Sequence, residues 1–205
     1  GGDLYCWGEN YDGQVGNGST ANQTTPVKVL EDVESVSLGD YHSTAVTTGG
    51  DLYCWGSNDY GQVGNGSMAD QTTPVKVLED VESVSLGDDH SAAVTTGGDL
   101  YCWGENYDGQ VGNGITANQY TPVKVLEDVE SISLSLHDYC YSAAVTTGGD
   151  LYCWGRNGCG QVGNGSTADQ YTPVKVLEDV ESVSLGERHS AAVTTGGDLY
   201  CWGRN

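Results

Sequence analysis

Short runs of β-branched and aromatic residues alternate with turn-forming clusters along the whole chain, and no apolar spacing of helical period is long enough to predict a helix. Near the N-terminus the pattern predicts strands over Asp3–Trp7, Thr25–Leu30, Val33–Leu38 and Ser43–Thr48. Glycines 13, 16 and 18, the pair Glu31-Asp32, Gly39-Asp40 and Gly49-Gly50 supply the turns between them. Pro26 has no N–H to donate, so its strand is expected at a sheet edge.

This set of four strands repeats. The phrase GGDLYCWG begins at Gly1, Gly49, Gly97, Gly148 and Gly196, giving units 1–48, 49–96, 97–147 and 148–195 and a partial unit 196–205. No residue falls outside the repeat, so the chain reads as one repeat domain, residues 1–205. Four strands per period of this length predict an all-β fold of propeller blades, each of four antiparallel strands.

The stretch GGDLYCWGENYDGQVGNG, followed by TPVKV and VESVSLGDYHSTAVTT, resembles the repeat of the regulator of chromosome condensation family. That pattern runs through a WG-x-N-x-x-G-Q-hydrophobic-G core and a hydrophobic-G-x-x-H-S segment. A propeller-type β-lactamase inhibitor protein is similar in architecture. The resemblance implies four-stranded blades around an axis, normally seven, where this chain has four units. It also offers nucleotide exchange and β-lactamase inhibition as family roles, neither of which transfers residue by residue.

Charge narrows the function. The chain carries 29 Asp and Glu against 7 Lys and Arg, a formal net charge of −22. Nucleic acid is an unexpected partner for such a surface. No apolar run approaches the ~20 residues of a bilayer helix, so no membrane partner is expected.

The units differ chiefly in two loops, which strand alternation sends to one face. One carries Glu9, Tyr11 and Asp12, then Ser57, Asp59 and Tyr60, then Glu105, Tyr107 and Asp108, then Arg156, Gly158 and Cys159. The other carries Asp40-Tyr41, Asp88-Asp89, a longer stretch with His137, Asp138, Tyr139 and Cys140 leading to Tyr141, and Glu187-Arg188. Tyrosine among Ser, Gly, Asp and Asn is the composition of a recognition surface, whereas neutral drift would not favour Tyr. The candidate partner-binding residues are therefore Tyr11, Asp12, Tyr41, Asp59, Tyr60, Asp89, Tyr107, Asp108, His137, Tyr139, Tyr141, Arg156 and Arg188.

Catalytic and metal chemistry is offered weakly. His42, His90 and His189 recur at one position, replaced by Tyr141 in the third unit, without a travelling set of ligands; a backbone-bonded histidine at a strand start is the simpler account. Asn10-Tyr11-Asp12-Gly13 hints at a calcium loop but lacks the closing glutamate, so a tight turn is preferred. The glycines of GQVGNG precede no helix and cradle no phosphate. No enzyme, cofactor or metal is expected. Asn17, Asn22, Asn65 and Asn164 match the N-glycosylation acceptor pattern, though unmodified turns explain them equally well.

Of seven cysteines, Cys6, Cys54, Cys102, Cys153 and Cys201 share one strand position. The resemblance implies a second cysteine after the His-Ser/Thr pair in some relatives; here Thr44, Ala92, Ala143 and Ala191 stand there, so buried free thiols are expected. Cys140 and Cys159 lie outside the framework on one face of one blade, and a disulfide between them is expected, the alternative being two unrelated exposed thiols. A bridge would imply an oxidising compartment and so a secreted or surface protein.

The expected function is a non-enzymatic scaffold that binds a protein partner, one with a basic surface. The alternative is self-assembly through the chain ends, since Gly196–Asn205 copies Gly1–Asn10, or a designed or amplified repeat or fragment without a defined role.

Overall fold

The structure is a computed structural model that describes residues 1–136 and 140–204. Its described residues form sixteen strands and no helix. The first sheet runs in chain order through β1 (Gly2–Gly8), β2 (Gln23–Leu38), β3 (His42–Thr47), β4 (Leu52–Gly56) and β5 (Gln71–Leu78). The second holds β6 (Val81–Leu86), β7 (His90–Thr95), β8 (Leu100–Gly104) and β9 (Gln119–Leu126). β10 (Val129–Leu134), β11 (Tyr141–Thr146), β12 (Leu151–Gly155) and β13 (Gln170–Leu177) make the third; β14 (Val180–Leu185), β15 (His189–Thr194) and β16 (Leu199–Gly203) make the fourth. Every neighbouring pair is antiparallel.

The sheets are out of phase with the repeats. β6 and β7 come from the second unit and β8 and β9 from the third, so each complete blade joins two successive units. Pro74, Pro122 and Pro173 lie on the edge strands β5, β9 and β13, where a missing N–H is harmless, whereas Pro26, expected on an edge, lies on β2, which pairs with both β1 and β3. One boundary differs from expectation. The predicted strands 25–30 and 33–38 are one continuous strand, because Gly2 pairs with Val33 and carries the ladder past Asp32. Asp80, Asp128 and Asp179 take φ between 55° and 57°, the left-handed turn that redirects the chain from the outer edge of one blade to the inner strand of the next, and Asp32, inside β2, bends that strand with φ 54°.

Alternation along the second and third strands of each blade sends small apolar side chains to both buried faces. The core between the first two blades packs Val46, Leu52, Cys54 and Val63 of the first against Val81, Ala93 and Trp103 of the next. Four of the five tryptophans also donate the indole N–H to a glutamine carbonyl of the preceding loop: Trp55 to Gln14 at 2.9 Å, Trp103 to Gln62 at 2.9 Å, Trp154 to Gln110 at 2.8 Å, Trp202 to Gln161 at 2.8 Å. Glycine is obligatory beside that indole. A Cβ on Gly64 would fall 2.6 Å from Trp103 Nε1, and the backbone there has φ +82°. Cys54, Cys102 and Cys153 are buried free thiols as expected, whereas Cys6 is partly buried and Cys201 exposed.

Candidate functional site

Two loops of each unit meet on one face. The amide after each Trp-Gly pair donates to the residue before the His or Tyr strand start: Ser57 to Tyr41 O, Glu105 to Asp89 O, Arg156 to Cys140 O and Arg204 to Arg188 O, all between 2.8 and 3.0 Å. The intervening glycine permits the approach. A Cβ on Gly104 would sit 2.5 Å from Asp89 O. The expectation that both variable loops share a face therefore holds.

An invariant asparagine builds the longer loop. Asn58 Nδ2 donates to Asn65 Oδ1, Ser67 O and Ala69 O, and its Oδ1 accepts the Val63 amide; Asn10, Asn106 and Asn157 repeat the set. Asn17, Asn65 and Asn164 accept the amide two residues on, so these carboxamides belong to the turn. The tight-turn account of Asn10–Gly13 is the one the hydrogen bonds describe.

An invariant glutamine then orients the tip. Its Oε1 accepts the amide of the variable residue two positions earlier: Asp12, Tyr60, Asp108 or Cys159. In the second unit Gln62 Nε2 donates to Asp89 Oδ1 at 2.9 Å and to Ser57 Oγ at 3.3 Å. In the third, Gln110 Nε2 donates to Glu105 Oε2 at 3.0 Å. Sequence reasoning missed that this residue ties the variable positions to the core, since an invariant polar residue in a glycine-rich loop looks like surface.

Between the second and third loops lies an acidic, aromatic cluster. Tyr60 and Tyr107 meet edge to face with centroids 6.2 Å apart. Burial, reinforced by Asp88, Glu105, Asp59 and Asp40, raises the Asp89 carboxyl to about 7. Asp89 and Glu105 in turn raise the Tyr60 phenol. Asp12 and Asp108 are also raised, each chiefly by burial, with Arg156 opposing the shift at Asp108. Arg156 Nη1 stands 3.4 Å from Asp108 Oδ2, and Arg188 Nε 3.0 Å from Glu187 Oε1. The four lysines lie on the invariant side of the blades, each paired with two carboxylates, as Lys76 is with Asp51 and Glu79. They leave the variable face with only the arginines to set against its carboxylates.

His42 and His90 bridge blades through side chains, not backbone as expected. Ser91 Oγ donates to Gln62 O at 2.8 Å, so its hydroxyl proton is committed and His42 Nε2–H must donate to Ser91 Oγ at 2.9 Å. His90 and Ser142 repeat the arrangement. Burial lowers the imidazoles to about 4 for His42 and about 3 for His90, and both are neutral. Among the described residues, no group of three His, Cys, Asp or Glu side chains is placed to hold a metal.

A profile of the regulator of chromosome condensation (RCC1) repeat matches residues 1–46, 49–94, 97–139 and 148–193. The chain belongs to the RCC1 repeat family. Human WBSCR16 is similar in fold, with a TM-score of 0.82 at 24% identity, over 97% of this chain and 56% of that one. Yeast RCC1 (Prp20), solved bound to Kap60, gives 0.79 at 24% identity over 98% and 52%. Prp20p of Saccharomyces cerevisiae, whose structure was solved together with a study of its binding to Gsp1p and histones, gives 0.80 at 24% identity over 98% and 54%. The chain thus spans about half the length of these solved proteins. A stretch of 36 residues is 50% identical to the E3 ubiquitin-protein ligase HERC2 of Homo sapiens, 18% of this chain and 1% of that protein.

On this RCC1-type propeller the candidate residues separate by environment. Tyr11 (68% exposed), Tyr41 (46%) and Tyr107 (63%) stand out from the loop face, with Asp59 exposed beside them. Tyr60, Asp12, Asp89, Asp108, Arg156 and Arg188 are partly buried on it. His137 and Tyr139 lie outside the described residues. Tyr141 does not belong to the face. It is fully buried at the histidine position, where its hydroxyl lies 2.7 Å from His189 O and 3.0 Å from Gly186 O and accepts from Ser190 Oγ; burial raises it to about 12. The expected Cys140–Cys159 bridge is absent. Both are free thiols: Cys140 is buried 3.7 Å from Glu105 Oε2, and Cys159 occupies a loop tip with its amide on Gln161.

Proposed function

We propose that this RCC1-type propeller is a non-enzymatic protein-binding module whose variable loop face engages a partner with a basic surface. The observation that carries the reading is the cluster of Tyr60, Tyr107, Asp89 and Glu105. Aromatic rings there adjoin carboxylates that have no lysine on their side of the blades. Rings held by a rigid scaffold bury contact area at low entropic cost and receive cations over their faces. Histones, whose binding was studied with the structure of yeast Prp20p, are a suitable basic probe. Calorimetric titration with a core histone should give salt-sensitive binding that Tyr60→Ala/Tyr107→Ala weakens at least tenfold without changing charge. Tyr101→Ala, on the framework strand β8, should leave affinity unchanged at temperatures where it is folded. Equal affinity for the double variant and the parent would overturn the reading.

A second reading, association of two copies, is favoured by the end blades. Trp7, Tyr5 and Leu38 are exposed on the first, and Leu199 and Tyr200 on the last. Gly1–Gly8 is identical to Gly196–Gly203, so β1 of a second copy could take the place of β16 on β15. Glu9 would then replace Arg204 beside Arg188, an exchange of like for unlike charge. Light scattering should give masses above one chain, falling with added salt and with Trp7→Ala. One-chain mass at every concentration and salt level refutes it.

A further inference from the structure

Each unit carries an Asn-Gly pair in its longer loop: Asn17-Gly18, Asn65-Gly66, Asn113-Gly114 and Asn164-Gly165. Such pairs are chemically labile, because glycine has no side chain to keep its backbone nitrogen away from the preceding carboxamide carbon. The carboxamide is prepared alike in all four. Asn164 Oδ1 accepts from Asn157 Nδ2 at 3.2 Å and from the Ser166 amide at 3.1 Å, and Asn17, Asn65 and Asn113 accept the corresponding pair of donors. Two N–H groups on this oxygen draw electrons from its carbon and stabilise the negative charge that develops there under attack.

The attacking nitrogen differs between units. Gly18 N–H donates to Thr72 O at 2.8 Å, Gly66 N–H to Tyr120 O at 2.7 Å and Gly114 N–H to Tyr171 O at 2.8 Å, each carbonyl belonging to the outer strand of a blade, β5, β9 or β13. In the last sheet β16 is the edge strand, and the Gly165 amide has no hydrogen-bond acceptor among the described residues. The space beside it is open as well. A Cβ on Gly18, Gly66 or Gly114 would touch a threonine methyl at 3.6 to 3.7 Å, whereas one on Gly165 would meet nothing within 4 Å. An amide bonded to a carbonyl reacts only when its loop opens, and that opening costs free energy; an unbonded amide reacts from the folded state.

We propose that Asn164 is a site of spontaneous covalent modification, deamidating selectively among the four Asn-Gly pairs. The Gly165 nitrogen attacks Asn164 Cγ and gives up its proton to water; the Cγ–Nδ2 bond breaks, and the side-chain nitrogen takes up a proton and leaves as ammonia. Water then opens the succinimide at either carbonyl, giving aspartate or isoaspartate. Water is the only co-reactant. Isoaspartate routes the main chain through the side chain and so adds a methylene between Asn164 and Gly165. That displaces Ser166 and Ala168, whose carbonyls Asn157 Nδ2 holds at 3.0 Å, and loosens the loop that carries Arg156 and Cys159. The site depends on neither reading of the function.

The test keeps the folded chain at mildly alkaline pH and body temperature for weeks and samples it by peptide mapping that separates isoaspartyl peptides. Asn17 and Asn65 are internal controls, because they share the triplet Asn-Gly-Ser with Asn164. Isoaspartate should accumulate at Asn164 roughly tenfold faster, or more, than at either control. In concentrated urea the three rates should converge, since the shared triplet then sets them all. Amide hydrogen exchange in the folded chain is the independent readout: the Gly165 N–H should exchange roughly tenfold faster, or more, than those of Gly18, Gly66 and Gly114. Equal isoaspartate rates or equal exchange in the folded chain, or a preference for Asn164 that persists in urea, overturns the proposal.

Discussion

Trp7 and Trp103 sit in the same octapeptide, GGDLYCWG, yet Trp7 is 61% exposed and Trp103 fully buried. Leu38 and Leu86 form a second such pair, the first exposed and the second buried. The local sequence therefore decides that a strand forms and which way its side chains point, while burial comes from the neighbouring blade. His42 and His90 against His189 make the same point with a polar group. The first two are buried against a serine of the next blade; His189 is exposed. Asparagine behaves oppositely. Asn10 makes its hub of bonds inside its own loop and is as buried as Asn58, Asn106 and Asn157.

Substitution at the tryptophans breaks the comparison most sharply. Trp103→Ala should cost about 3–5 kcal/mol in chemical denaturation, and Trp7→Ala under about 0.5 kcal/mol in a one-chain state, since little is buried there. Comparable losses would mean the first blade is covered in solution.

Acid titration gives the next largest effect. The buried imidazoles have folded-state values below the ordinary one, so the unfolded chain takes up protons first as pH falls. Their stabilisation is present above about pH 6.5 and is lost as pH drops towards 4 and 3. His90→Gln should remove part of this acid sensitivity, on the order of 3 kcal/mol between those limits. The readout is the urea midpoint as a function of pH.

For the asparagine hub, Asn10→Ala and Asn58→Ala should each cost about 2–3 kcal/mol, and equally, because their partners lie within one loop. A much smaller cost at Asn10 would show that even the turn borrows stability from the next blade.

The smallest effect belongs to Asp89. Its carboxyl is raised to about 7, so the folded state holds a proton that the unfolded state releases near pH 4. Its contribution is full below about pH 4 and lost as pH rises through 7. Asp89→Asn keeps the acceptor for Gln62. It should stabilise by about 1 kcal/mol at pH 8, after allowance for solvent screening, and be neutral at pH 4.

Strand order, turn positions and the shared loop face are legible in the sequence because each rests on local pattern: alternation, glycine spacing and a proline that marks an edge. Exposure of Tyr11, Tyr41 and Tyr107 is legible for the same reason. Tyr141 is misplaced by sequence reasoning because a strand's first residue faces core or solvent according to the blade beside it, which its own loop does not reveal. The glutamine ties and the His-to-serine bridges join residues far apart in the chain, such as His42 and Ser91, and no short motif contains both partners.

The half-blade offset between repeat and sheet bears on how such genes change length. A recombination event that inserts or removes 48 residues, wherever its endpoints fall within the repeat, restores the reading of the strand pattern on both sides. Every internal sheet still receives two strands from one copy and two from the next. The array can therefore lengthen or shorten by whole units with no new joint to invent, and divergence is left to the loops.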